Sequence, residues 1–156
     1  MNKYLLSLLI LGLSFNLKLF SQCSRDQVGA LGFLTNPQNQ SMAVAPNGDI
    51  YVLVGKGNSG KTELWKGKTI STWTLQASLA TSCNVNTDIA VSRTGKVSII
   101  VRDDAGSKTP LLYYLSGSSL IQQGSAISSN VGNNFALAFD TLGIEYVAFY
   151  FQFAAV

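Results

Sequence analysis

The chain has 156 residues, of which 47% are hydrophobic and 12% are charged, and this length fits one domain of ordinary size. It contains two cysteines and no histidine, which excludes a Ser-His-Asp triad, histidine-based metal sites and a structural zinc site of the usual kind. The formal net charge is +3, and the basic residues do not cluster as a nucleic-acid-binding surface requires.

The N-terminus has the pattern of a secretory signal. Lys3 gives a short positive start, and Leu5 to Phe15 form a nearly unbroken apolar run. A run of about 11 residues fits the hydrophobic region of a signal peptide and is shorter than the roughly 20 residues that span a bilayer. We therefore predict a signal peptide over residues 1–22 and a secreted or cell-surface protein with no membrane span after its removal. An uncleaved anchor and a lipid on Cys23 are the alternatives.

Residues 23–40 form a lead-in segment before the main domain. The signal contains two of the 11 basic residues and none of the eight acidic ones, so the mature chain carries nine against eight, a net of +1. Export favours a disulfide between Cys23 and Cys83. Two unrelated thiols are the alternative.

From residue 41 onward the sequence nearly repeats itself. Gly48, Gly95 and Gly143 recur at intervals of 47 and 48 residues. Each glycine follows a short turn and precedes a segment rich in β-formers, where it supplies the positive φ of a hairpin turn. These segments are Asp49–Val54, Lys96–Val101 and Ile144–Phe149. The pattern predicts units at about 41–87, 88–133 and 134–156, the third of them partial.

Each full unit contains two more short strands. They are predicted at Glu63–Trp65 and Thr72–Leu75 in the first unit, and at Leu111–Tyr114 and Leu120–Gln122 in the second. Four strands in about 47 residues is the size of a propeller blade, and a closed propeller needs about four to eight blades. The sequence thus predicts an all-β, antiparallel, propeller-like fold that is incomplete. The explanations are a fragment of a longer protein, assembly with other copies, and a small sandwich. We favour the fragment, because repeat arrays need neighbours to bury their faces.

Two segments resemble the repeat unit of secreted bacterial β-propellers of the NHL and bacterial β-propeller-repeat type. They read MAVAPNGDIYVLV from Met42 to Val54 and LAFDTLGIEYVAF from Leu137 to Phe149, against a family pattern of A-V-D-x-x-G-x-x-Y-V. Only Asp140 supplies the aspartate of that pattern, and the resemblance covers residues 41–153. It implies a rigid propeller frame that presents a ligand-binding rim of loops.

One motif points to a different chemistry. Gly55 to Thr62 matches the phosphate-binding pattern G-x-x-x-x-G-K-[ST]. A true P-loop is completed by the N-terminus of a following helix, but the residues after Thr62 include a glycine and several β-branched side chains, which disfavour a helix. The matching stretch of the second unit, 102–109, is a polar turn. We therefore predict a hairpin loop, with nucleotide binding as a remote alternative.

Several carboxylates could support other chemistry. Asp103 and Asp104 could ligate calcium, although a solvated turn is the simpler interpretation. A pair of carboxylates for glycoside hydrolysis would come from Asp49, Asp88, Asp140 and Glu145, but no spacing selects a pair.

Large aromatic side chains have two interpretations as well. They are expected in the space between sheets, with stacking on sugars as the alternative. These residues are Trp65, Trp73, Tyr113 and Tyr114.

These observations favour an exported, non-enzymatic binding or scaffold module without a cofactor. Its partner would be an extracellular protein or glycan, with no role for nucleic acid. The loops at Gly55–Lys61 and Asp103–Lys108 are expected on one rim. The weak binding candidates on them are Lys56, Asn58, Lys61, Asp103, Asp104 and Lys108. The alternatives are part of a carbohydrate-active propeller enzyme and self-association through exposed edge strands.

Overall fold

The computed structural model describes residues 39–55, 61–68, 72–80, 87–102, 109–127 and 131–151. Within these ranges every regular element is an antiparallel strand and none is a helix, which confirms the predicted all-β class. The strands are β1 (Asn39–Val44), β2 (Ile50–Gly55), β3 (Thr62–Gly67), β4 (Trp73–Leu79), β5 (Asp88–Val91), β6 (Val97–Arg102), β7 (Pro110–Ser116), β8 (Ser119–Gln122), β9 (Val131–Phe139) and β10 (Glu145–Phe151). Over the same ranges, no helix is long and apolar enough to cross a membrane.

The strands form three separate sheets, each a simple meander. The first sheet has the order β1-β2-β3-β4, the second β5-β6-β7-β8, and the third pairs β9 with β10. All the strands expected from the β-branched and aromatic segments are present, within four residues of the predicted bounds. The described residues do not close into a ring of sheets.

The sheets stack face to face, since β1 contacts β5, β5 contacts β9, and β4 contacts β8. Side chains alternate across each strand, so every sheet has two faces. The main core lies between the first and second sheets and is built from the inward-facing rows of both. Its buried members are Ala45, Tyr51, Leu53, Leu64, Ile89, Val97, Ile99, Val101 and Tyr113.

Three hairpin turns share one backbone geometry. In the first turn, between β1 and β2, the amide of Ala45 donates to the Asp49 carbonyl at 2.8 Å, and the amide of Gly48 donates to the Ala45 carbonyl at 2.9 Å. The second turn (92–96) and the third turn (140–144) repeat both bonds. The glycine has a φ of 83° in the first and third turns and 86° in the second. This is the three-residue loop in which a left-handed glycine follows a type I turn.

The fifth residue of each turn has its amide satisfied by a different side chain. Asn47 Oδ1 accepts from the Asp49 amide, Ser92 Oγ accepts from the Lys96 amide, and Asp140 Oδ1 accepts from the Ile144 amide, at 3.0, 3.0 and 2.8 Å. The first residue of the first turn is alanine, which has no side-chain acceptor. The acceptor there is the third residue, Asn47.

Replacement of Gly95 by alanine is expected to lower the free energy of unfolding by about 1–2 kcal/mol, because an L side chain is strained at a positive φ. Replacement by asparagine is the matched control and should cost less, since asparagine tolerates the left-handed region. Urea unfolding of the two variants measures the difference. Equal losses would contradict the assignment of the effect to φ, since no atom lies within 4 Å of the Cβ position.

Candidate functional site

The rim loops that the sequence singled out lie largely outside the described residues. This applies to Lys56 and Asn58, and to the candidates at positions 103, 104 and 108. Lys61 is described and is exposed, directly before β3. The cysteines at positions 23 and 83 also lie outside the described residues, so the disulfide stays a prediction.

The ends of the strands show where these loops attach. Gly55 pairs with Thr62, and Arg102 pairs with Pro110. Both connections therefore leave their sheets at the end opposite the three glycine turns. We call this end the loop rim and the other end the turn rim.

A strand, not a helix, follows the P-loop-like motif. β3 begins at Thr62, whose side chain is fully buried, and runs antiparallel to β2. A phosphate site of this type needs the N-terminus of a helix after the loop, and here a strand lies in that position. This agrees with the prediction made from the β-branched residues after Thr62.

The carboxylates considered for catalysis all have partners within the sheets and turns. Asp140 accepts the amides of Leu142 and Ile144 inside the third turn. Asp88 accepts the amide of Ile89 at 2.8 Å and the amide of Leu137 at 2.7 Å, so its carboxylate joins the second sheet to the third. These groups stabilise the backbone rather than face each other across a cleft.

Lys96 makes a second link between those sheets. Its Nζ lies 3.1 Å from Glu145 Oε2 and 3.2 Å from Gln123 Oε1. The same ammonium lies 5.8 Å from the centre of the Tyr114 ring and 5.6 Å from that of Phe139, within cation–π range. Glu145 is thus part of an ion pair between sheets.

The aromatic residues follow the predicted core role in part. Tyr113 is buried in the core, whereas Trp65, Trp73 and Tyr114 are half-buried. The Trp65 indole donates to Glu63 Oε2 at 3.0 Å along the same strand.

A groove opens on the turn rim between the first and second turns. It has a volume of about 170 Å³ and is partly enclosed. Its lining combines two turn backbones, one aromatic ring, an amide, a hydroxyl and a guanidinium. The lining residues are Ala45, Pro46, Asn47, Tyr51, Arg93, Thr94 and Gly95.

A charged pair flanks the Tyr51 side of this groove. Lys66 Nζ lies 2.7 Å from Asp49 Oδ2 and 5.7 Å from the centre of the Tyr51 ring. The hydrogen bond from Lys66, and then that from the Asn47 amide, holds the pKa of Asp49 below its ordinary value of 3.8. The same bond with Asp49 raises the pKa of Lys66 above its ordinary value of 10.5. Arg93, which is exposed, lines the groove itself, whereas Lys66 and Asp49 lie beside Tyr51 and outside the lining.

We expect this pair to give the fold a pH dependence at both extremes. The pKa of Asp49 is lowered on folding, so its contribution is present above pH 3.8 and is lost as the pH falls through the folded pKa. The pKa of Lys66 is raised, so its contribution is present below pH 10.5 and is lost as the pH rises through the folded pKa. Replacement of Lys66 by methionine should make the thermal midpoint depend less on pH, at both the acidic and the alkaline end of the range.

Thermal melts from pH 2 to pH 12 measure this effect. The Lys61→Met variant, which removes an exposed lysine from the loop rim, should retain the wild-type profile. An unchanged profile in the Lys66 variant would show that the pair is not coupled to folding.

The groove residues were not identified as a site from the sequence. Asn47 and Thr94 read as ordinary turn residues, and Arg93 as an isolated exposed charge. The available signal was that the turns at 45–49 and 92–96 occupy corresponding positions in adjacent units, which places them side by side on one rim.

The chain matches no protein-family model, and comparisons with curated proteins and with solved structures found no similar protein. Within the part of the chain that the structure describes, no three metal-ligating side chains come together.

Proposed function

We propose that the chain is an exported, non-enzymatic binding module of the β-propeller-repeat type, and that it binds an acidic glycan in the groove on the turn rim. The observation that carries this proposal is the groove itself. It brings Arg93, Asn47 and Thr94 together beside the largely buried Tyr51. Sugar hydroxyl groups bond to amides and hydroxyls, and a guanidinium binds carboxylates in a bidentate manner.

Two features support the propeller-type unit. The first and second sheets have the same strand order, and their corresponding glycines lie in turns with the same hydrogen bonds. The sheets also stack with first strand on first strand and fourth on fourth, as successive blades do. Export rests on the sequence of residues 1–22.

The roles of the carboxylates support a binding module over an enzyme. General acid–base hydrolysis of a glycoside needs two carboxylates that flank one bond. Here Asp49 pairs with Lys66, Asp88 and Asp140 accept backbone amides, and Glu145 pairs with Lys96. Each is engaged in holding the fold.

Binding of defined oligosaccharides to the purified chain, measured by calorimetry, tests the proposal. Oligogalacturonate is the acidic probe, and a neutral oligosaccharide of equal length is its control. The Arg93→Ala variant should weaken binding of the acidic probe about tenfold, the value of one charge-assisted hydrogen bond. The Lys61→Ala variant removes a cation from the loop rim and should leave the affinity unchanged.

Four outcomes would contradict the proposal. No binding of any acidic probe at millimolar concentration would end the glycan assignment. Loss of affinity in the Lys61 variant alone would move the site to the loop rim. Release of shorter sugars during incubation would show an enzyme, and stabilisation by ATP with Mg²⁺ would support the nucleotide alternative.

A further inference from the structure

The stack of described sheets ends in two faces that carry exposed apolar residues. The leading face is the side of β1 and β2 that points away from the second sheet, and it includes Met42, Val44 and Val52. On β1, Met42 is 65% exposed and Val44 is 59% exposed, whereas Val52 on β2 is only 6% exposed. The trailing face is the side of β9 and β10 that points away from the second sheet. It contains Ala138 and Tyr146, which pair across the two strands, and Tyr146 is 55% exposed.

The leading face corresponds to a face that is buried elsewhere in the molecule. The residues 47 positions further along the chain are Ile89, Val91 and Ile99. They occupy the same places in the second sheet, where they pack in the core against the first sheet. The leading face thus has the pattern of a surface that another sheet covers.

The trailing face corresponds to the face of the first sheet that packs on the second sheet. Ala138 and Tyr146 lie 95 positions after Ala43 and Tyr51. Ala43 and Tyr51 pair across β1 and β2 in the same way and pack into the core between the first and second sheets. The alanine and tyrosine that cover the second sheet inside the chain therefore recur, uncovered, on the third sheet.

A shallow groove interrupts the leading face at the open edge of β1. It has a volume of about 210 Å³, a largely apolar surface, and a lining of Gln40, Ser41, Met42 and Val52. The stack thus has an apolar groove at one end and an exposed tyrosine, Tyr146, at the other.

From this correspondence we infer that two copies of this chain associate head to tail, with the trailing face of each copy packed on the leading face of the other. The contact continues the stacking already present between the first and second sheets. The three sheets described in each copy make six in a dimer, within the range of about four to eight at which stacked sheets close into a ring. The expected assembly is a closed dimer with two identical interfaces.

The same correspondence specifies a contact. Between the second and third sheets, Lys96 Nζ lies 3.1 Å from Glu145 Oε2. At the interface between copies, the corresponding positions are Ile144 of one copy and Ile50 of the other. Ile144 is 52% exposed in the single chain. An apolar pair thus replaces the ion pair, so the interface should be insensitive to salt.

Sedimentation velocity of the full-length chain tests this association. The wild type should sediment as a dimer at about 100 µM, a concentration at which even weak specific dimers form. Met42→Lys and Tyr146→Lys should each weaken dimerisation at least about tenfold, because each places a charge in an apolar contact. Ile121→Lys, at a site that is 42% exposed and on neither face, is the matched control and should remain dimeric.

Mixing the two disrupted variants separates head-to-tail contact from symmetric contact. The Met42 variant keeps an intact trailing face and the Tyr146 variant keeps an intact leading face, so an equimolar mixture should form a heterodimer through one interface. A wild type that is monomeric at this concentration would overturn the inference. So would dimerisation of either variant alone at wild-type strength, or a mixture that stays monomeric.

Circular dichroism and thermal melts confirm that each variant is folded. If a lysine variant unfolds, the corresponding serine variants enter the same mixing experiment. This association does not rest on glycan binding, and the Arg93→Ala variant should dimerise like the wild type, so failure of one proposal leaves the other intact.

Discussion

Replacement of Leu53 by alanine is expected to lower the free energy of unfolding by about 3 kcal/mol. Leu53 is fully buried, lies opposite Leu64 on the adjacent strand, and belongs to the core between the first and second sheets. Truncation removes the transfer free energy of the buried methyl groups and leaves a cavity that β-sheet backbones do not readily fill. Urea unfolding followed by tryptophan fluorescence measures the loss.

An exposed leucine provides the control for this prediction. Leu142 is 84% exposed in the third turn, and its replacement by alanine should change the free energy of unfolding by less than about 0.5 kcal/mol. If the two variants lost the same stability, the first and second sheets would not share the core described above.

Replacement of Asp88 by alanine should cost about 2–3 kcal/mol. The carboxylate accepts two backbone amides, and one of them belongs to Leu137, which is only 7% exposed. Removal of the acceptor leaves a buried amide without a hydrogen bond. The free-energy cost of desolvating that amide is then not offset by any interaction. Urea unfolding measures the loss, and hydrogen exchange at the Leu137 amide reports on the contact between sheets directly.

Asparagine at the same position is the matched variant. Asparagine keeps one carbonyl acceptor, so it should preserve one of the two hydrogen bonds from backbone amides. It should therefore lose about half as much stability as alanine. Identical losses in both variants, together with unchanged exchange at Leu137, would show that the carboxylate does not join the sheets.

Much of the fold could be predicted because it is encoded locally. Gly48 and its two counterparts mark turns that need a left-handed residue, and the β-branched and aromatic runs in Ile50–Gly55 and Val97–Arg102 mark the strands beside them. Neighbouring strands in sequence are neighbours in each sheet, so short turns determine the pairing.

Contacts between sheets could not be predicted in the same way. Asp88 and Leu137 are 49 residues apart, and nothing in either segment identifies the other as its partner. The groove also depends on contact between sheets and could not be predicted for the same reason. Asn47 and Arg93 belong to different turns and become neighbours only when the sheets stack. The sequence instead favoured the loop rim, because the loops at Gly55–Lys61 and Asp103–Lys108 occupy equivalent positions between strands and both end in lysine.

The differing acceptors of the three turns show how loosely their sequences are constrained. An oxygen must reach the amide of the fifth residue, and asparagine at the third position, or serine or aspartate at the first, can supply it. The three turns therefore share one shape although the glycine is the one residue type that they have in common.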